Sequence, residues 1–184
     1  MNEPVSIMSM ASASALGAEE QQVWKRYKRG ESLIESSDFG QFSALVSSID
    51  RELWEEIEAL RQIKNYKELD PSVLLAIYVS RRAVSKAGWN GENIGINIGS
   101  SRGSTHLFEK YHREFLKTGA EIASTLSSPT TTLGNLSSWV GHDLQSFGPT
   151  ISHSIACSTA LHGILNGIAW LNSGMSQYFL AGGS

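Results

Sequence analysis

The sequence predicts an α/β fold with mostly parallel strand pairing, and three observations carry that expectation. Short β-like apolar runs alternate with runs of helical spacing along the 184 residues. Strand-like runs end in small-residue turns that lead into helices, as at Gly99 and Ala156. No repeat of fixed short period offers another explanation for the alternation. A helix between two strands carries the chain back over the sheet, so successive strands pair parallel.

The elements follow in order. PVSIMSM, from Pro4, alternates Val5 and Ile7 with serines and reads as a short strand running into a loop at Gly17. Ala18 to Arg29 is a helix with Val23, Trp24 and Tyr27 at i, i+1 and i+4, stopped by Gly30. Glu31 to Ser48 is serine-rich without a steady period and predicts a long surface loop. Asp50 to Ile63 is helical by Leu53, Ile57 and Leu60. Asp70 and Pro71 open another helix as N-cap and first-turn proline; Val73, Ile77 and Val84 line one side, and it ends near Gly88. Asn93 to Ile98, NIGINI, is a strand entering the turn GSSRGS. A helix from Thr105 to Lys117, a Ser/Thr-rich loop around Pro129 and a helix from Leu133 to Gln145 come next. GPTISHSIA is a strand announced by Gly148 and Pro149. Cys157 then opens a helix with Leu161, Ile164, Leu165 and Ile168 at i, i+3, i+4 and i+7, and SQYFLA forms the last strand before Gly182 and Gly183.

Composition narrows the function. Charged residues make up 18% of the chain, below the roughly 25% of ordinary soluble domains, so much of the surface is expected to be covered by more chain or another subunit. A net charge of −3 gives no basis for nucleic-acid binding, which needs dense cationic patches. One cysteine makes no internal disulfide and suits a reducing, cytoplasmic setting. The start lacks a basic n-region, and no segment approaches the ~20 apolar residues of a membrane span.

Few residues are placed for chemistry. GINIGSSRGS, from Gly95, has the spacing G-x-x-x-G-x-x-x-G rather than the dinucleotide G-x-G-x-x-G, and reads as a tight strand-to-helix connection. WKRYKRG, from Trp24, is the densest basic run and reads as a solvated helix face. His106, His112, His142, His153 and His162 lack the close pairing and carboxylate support of a metal site, so none is expected. His153 shares a strand face with Ile151 and Ile155, which favours packing. His162 lies five residues along the helix from Cys157, about 140° around an axis of ~3.6 residues per turn. Cys157 stands apart. A lone cysteine is usually buried filler, but one at a strand-to-helix elbow meets the free N–H groups and dipole of the first helical turn, which favour the thiolate. Those N–H groups, its own included, can hold an oxyanion, and the small flanking residues let substrate approach.

The stretch GPTISHSIACSTALHGILNGIAWLNSGMSQYFLAGGS, from Gly148, resembles the nucleophile region of the β-ketoacyl-ACP synthases of the thiolase superfamily, in unbroken order. VSIMSMASASALG resembles their first strand and turn, and NIGINIGSSRGS a later strand and glycine turn. The resemblance covers residues 1–184, with a loose fit from Glu31 to Leu69. It implies the N-terminal half of a thiolase-like fold, a mixed, mostly parallel sheet with covering helices, truncated before its last strand. It also implies that Cys157 is acylated from acyl carrier protein and the acyl group condensed with malonyl-ACP, in fatty-acid or polyketide synthesis. Substrates ride on the carrier's phosphopantetheine, so no cofactor is implied. Lys64 and Lys67 match carrier-docking positions, while Glu68 stands where a further base is common. The family's two catalytic histidines and second oxyanion N–H lie in a second half not present here, so these residues alone are not expected to complete condensation. Either the sequence is cut from a longer synthase, or two copies pair as a homodimer; a synthase heterodimer is the further assembly the family allows. The alternative is a non-catalytic partner subunit resembling a chain-length factor, or a scaffold; retention of Cys157 argues against it.

Overall fold

A three-stranded parallel sheet organises the chain. The structure, a computed structural model, describes residues 4–90, 93–119, 124–132 and 135–184. Helix α1 (Glu20–Arg29) precedes strands β1 (Glu35–Asp38) and β2 (Ser43–Val46), helix α2 (Arg51–Glu58) and two 3-10 turns, Ala59–Gln62 and Lys64–Tyr66. Helix α3 (Pro71–Ala87) leads to β3 (Ile94–Gly99), α4 (Thr105–Thr118), α5 (Ser127–Thr131) and α6 (Asn135–Asp143). Then come β4 (Thr150–Ile151), α7 (Thr159–Asn172) and β5 (Tyr178–Gly183). The sheet order is β4-β3-β5. Ile96 lies opposite Thr150, and β3 pairs with β5 from Ile94 and Tyr178 through Gly99 and Gly183.

Alternation along β3 divides the molecule into layers. Ile94, Ile96 and Ile98 enter a core with Ile57 of α2, Val73, Leu74 and Ile77 of α3, and Leu136 and Val140 of α6. Gly95, Asn97 and Gly99 face the other way, toward β5's aromatic and α7, where a Cβ on Gly163 would sit 3.0 Å from the Asn97 carbonyl oxygen. Local signals hold where capping chemistry sets them. Asp70 accepts a hydrogen bond from the Ser72 N–H at 2.9 Å and starts α3, and Gly88, with φ of 68°, ends it in the left-handed region that L side chains avoid.

Four expectations are corrected. PVSIMSM forms no strand: it lies along α3, where the Ser9 hydroxyl donates to the Ala83 carbonyl at 2.7 Å, and has no ladder partner. Within Glu31 to Ser48 the chain makes an antiparallel hairpin of β1 and β2. Its turn is held by Gly40 N–H donating to Asp38 Oδ1 at 2.8 Å and by the stacked rings of Phe39 and Phe42; serine-rich strands gave too weak an apolar alternation to read. The loop around Pro129 contains the short helix α5. The strand expected over GPTISHSIA pairs only at Thr150 and Ile151, because the residues after them turn away into an elbow. The predicted helix start at Leu133 lies outside the described residues.

Candidate active site at the β4–α7 elbow

Cys157 sits where the carboxyl edge of the parallel sheet meets the start of α7, the position where open parallel sheets bind ligands. It is solvent-exposed in this chain rather than packed among its buried residues. It does not open the helix as expected: Ser158 is the N-cap and α7 begins at Thr159. The rotation of about 140° to His162 therefore has no meaning, since Cys157 lies off the helix.

The elbow is stitched by Thr159. Its buried hydroxyl accepts from the Ile155 N–H at 2.9 Å and donates to the Ala156 carbonyl at 2.6 Å, spanning the cysteine on both sides. The Ser158 and Thr159 N–H groups donate to the Ile155 and Ala156 carbonyls at 3.2 Å each. Ala156, immediately before Cys157, is held at φ of 48°, a left-handed conformation costly for a residue with a Cβ. Among the described residues no backbone acceptor outside the helices and strands engages the Cys157 N–H.

Glycines let the sheet edge come close. A Cβ on Gly99 would clash with Thr159 Cγ2 and lie 2.5 Å from the His153 carbonyl oxygen, and one on Gly183 would lie 3.1 Å from the Ala160 Cβ. The GSSRGS turn lies beside the elbow, with the Ser154 hydroxyl donating to the Ser101 carbonyl at 3.3 Å; Arg102 is exposed on it. The other sequence candidates are dispersed. His106 and His112 lie exposed on α4, and His142 meets Trp139 edge-on at 5.9 Å. His153 and His162 form a T-shaped pair with ring centroids 6.3 Å apart, and His162 Nδ1 bonds the Ser158 carbonyl at 3.0 Å, turned into its own helix. Among the described residues no group of three or more His, Cys, Asp or Glu is placed to hold a metal.

Lys64 opens the 3-10 turn that precedes α3 and Lys67 caps it, and both are exposed. Sequence reading missed what holds that turn: Tyr66, Asp143 and Arg81 come together from segments far apart in the chain, and no local pattern announces them. Among the described residues no helix is long and apolar enough to cross a membrane.

Comparison with known proteins identifies the family. The model of the beta-ketoacyl synthase N-terminal domain matches residues 2–184. Nodulation protein E of Rhizobium sp. (strain N33) is 25% identical over 100% of this chain and 47% of its own length. 3-oxoacyl-[acyl-carrier-protein] synthase 2 of Vibrio cholerae is 27% identical over 98% of this chain and 45% of its own. The chain thus spans about half the length of the curated relatives it matches. Two solved structures share the fold. A beta-ketoacyl synthase from Burkholderia phymatum superposes with a TM-score of 0.78 at 18% identity, covering 96% of this chain and 45% of that one. The ishigamide ketosynthase/chain length factor superposes with a TM-score of 0.81 at 15% identity, covering 96% and 51%. With its strand-to-helix cysteine at the edge of a thiolase-like parallel sheet, the chain belongs to the beta-ketoacyl synthase family and carries that family's N-terminal domain.

Proposed function

We propose that the chain supplies the acyl-accepting half of a 3-oxoacyl-[acyl-carrier-protein] synthase of fatty-acid or polyketide synthesis. The observation that carries this is the exposed Cys157 at the elbow, with a strained Ala156 before it and the start of α7 after it. Its thiolate attacks the acyl thioester on the carrier, forming acyl-Cys157 and releasing the carrier thiol. The Cys157 N–H donates to the tetrahedral oxyanion. Malonyl-carrier then loses CO2, and the resulting carbanion attacks acyl-Cys157 to give the 3-oxoacyl thioester and regenerate the cysteine. The family resemblance puts the two histidines for decarboxylation, and a second oxyanion N–H, in a second half.

The reading calls for no resident cofactor. Lys64 and Lys67 meet the carrier protein, and the protein works in the cytoplasm, where a free exposed thiol persists. The second half covers the outer face of α7, in a full-length chain or a dimer. The test supplies acyl-carrier and malonyl-carrier thioesters to the protein together with its second half and follows 3-oxoacyl product. Product that Cys157→Ala abolishes supports the reading; equal turnover by Cys157→Ala refutes it.

A further inference from the structure

Tyr66, Asp143 and Arg81 meet at a point that the acyl-transfer chemistry does not use. Lys64 and Lys67 are exposed, whereas Tyr66 between them is buried. Side chains three residues apart eclipse in a 3-10 turn. Lys64 opens the turn and Lys67 caps it, so the two exposed lysines flank the buried Tyr66.

A buried carboxylate pins this arrangement. The Asp143 side chain, 2% exposed at the end of α6, accepts from the Tyr66 hydroxyl at 2.8 Å and from Arg81 Nε and Nη2 at 2.8 and 2.5 Å. The Tyr66 ring meets Trp139 edge-on at 6.0 Å. From the far side of the turn, Arg61 Nη1 donates to the Lys67 and Leu69 carbonyls at 3.0 and 2.7 Å. Burial, then the hydrogen bond to Asp143, push the Tyr66 phenol up to about 12, so it stays a donor at ordinary pH. The surrounding charges cancel in pairs: Arg81 with Asp143, Arg61 with Glu58, and Lys110 with Glu68 at 3.7 Å. Glu68, the acid that departs from the family pattern, is thus already met by a cation. Among the described ion pairs neither Lys64 nor Lys67 is held by a carboxylate, and the surplus positive charge of the turn is theirs.

We propose that Tyr66, Asp143 and Arg81 form a clamp that presents Lys64 and Lys67 as a paired cationic seat for an acidic acyl carrier protein. The proposal rests on the carrier-dependent reading above. The three clamp residues are positioning residues that act through the lysines. The clamp fixes the backbone that carries both lysines, so carrier binding loses less in ordering the turn.

Binding of a fluorescently labelled acyl carrier protein to the full chain, read by anisotropy across ionic strength, tests this. Asp143→Asn and Tyr66→Phe should each weaken binding about fivefold or more. In acyl transfer the loss should appear in KM for the carrier-bound donor rather than in kcat. In a Lys64→Ala/Lys67→Ala background neither substitution should weaken binding further, a coupling that a general structural role would not produce. Tyr66→Phe keeps the ring, so it carries the test alone if circular dichroism shows Asp143→Asn unfolded. Carrier affinity unchanged in Tyr66→Phe, additive losses in the lysine background, or no carrier binding by the wild type would each overturn the clamp. Carrier binding that follows the prediction while Cys157 takes no acyl group would instead overturn the acyl-transfer reading and leave the clamp standing.

Discussion

Thr159 decides the shape of the elbow more than the cysteine does. Its hydroxyl satisfies one donor and one acceptor across the turn, and removing it leaves the Ile155 N–H and Ala156 carbonyl without that partner. Thr159→Val, which keeps the volume, should cost about 1–3 kcal/mol in urea denaturation, and Thr159→Ser should recover most of it. Wild-type stability in Thr159→Val would mean that the elbow does not depend on this hydroxyl. The strand-to-helix passage that holds Cys157 was legible in the sequence, because Gly148 and Pro149 before it and Gly182 and Gly183 after it bracket that passage. The two-residue delay before α7 was not legible. It follows from a side-chain bond of Thr159 and a left-handed Ala156, and residue types record neither.

At the scale of elements, α7 turns a different face to the sheet than its periodicity suggests. Leu161, Ile164, Leu165 and Ile168 mark a helix correctly, yet they are 69, 49, 60 and 39% exposed. The buried positions are Thr159, Gly163 and Gly167, whose small size lets the helix sit directly on β3 and β5. A helix apolar on every side is recognisable from sequence, but spacing alone does not say which side meets the sheet. Gly163→Val would drive a branched side chain into the Asn97 carbonyl, already 3.0 Å from the first added carbon. It should lower stability by about 1–3 kcal/mol, measured by thermal unfolding. Leu165→Gln on the outer face should shift the stability of this chain by less than about 0.5 kcal/mol, and by the reading above it should impair assembly with the second half. A large loss of stability from Leu165→Gln alone would show that this face is already packed. The α/β alternation and most helices were legible through caps such as Asp70 and Gly88; the β1–β2 hairpin was not, since its strands are mostly polar.

Across the whole molecule, the Tyr66–Asp143–Arg81 junction ties the turn before α3, α3 itself and the end of α6, and it gives stability a signature at alkaline pH. The Tyr66 phenol is raised from 10.0 to about 12 in the folded protein, so the folded state holds its proton longer than the unfolded chain. Its contribution is fully present below pH 10 and is lost as pH rises through 12. Denaturation midpoints across that window should fall for the wild type and fall less for Tyr66→Phe; parallel curves would remove the junction from the account. The large covered surface implied by the 18% charged content agrees with the exposed apolar face of α7. The central claim is that Cys157 is the acyl acceptor. Mass spectrometry with peptide mapping, after incubation with acyl-carrier thioester, tests it most directly. The account predicts one acyl group on the peptide containing Cys157 and none on Cys157→Ala protein. Protein that stays unmodified, or an adduct that survives in Cys157→Ala, would contradict it.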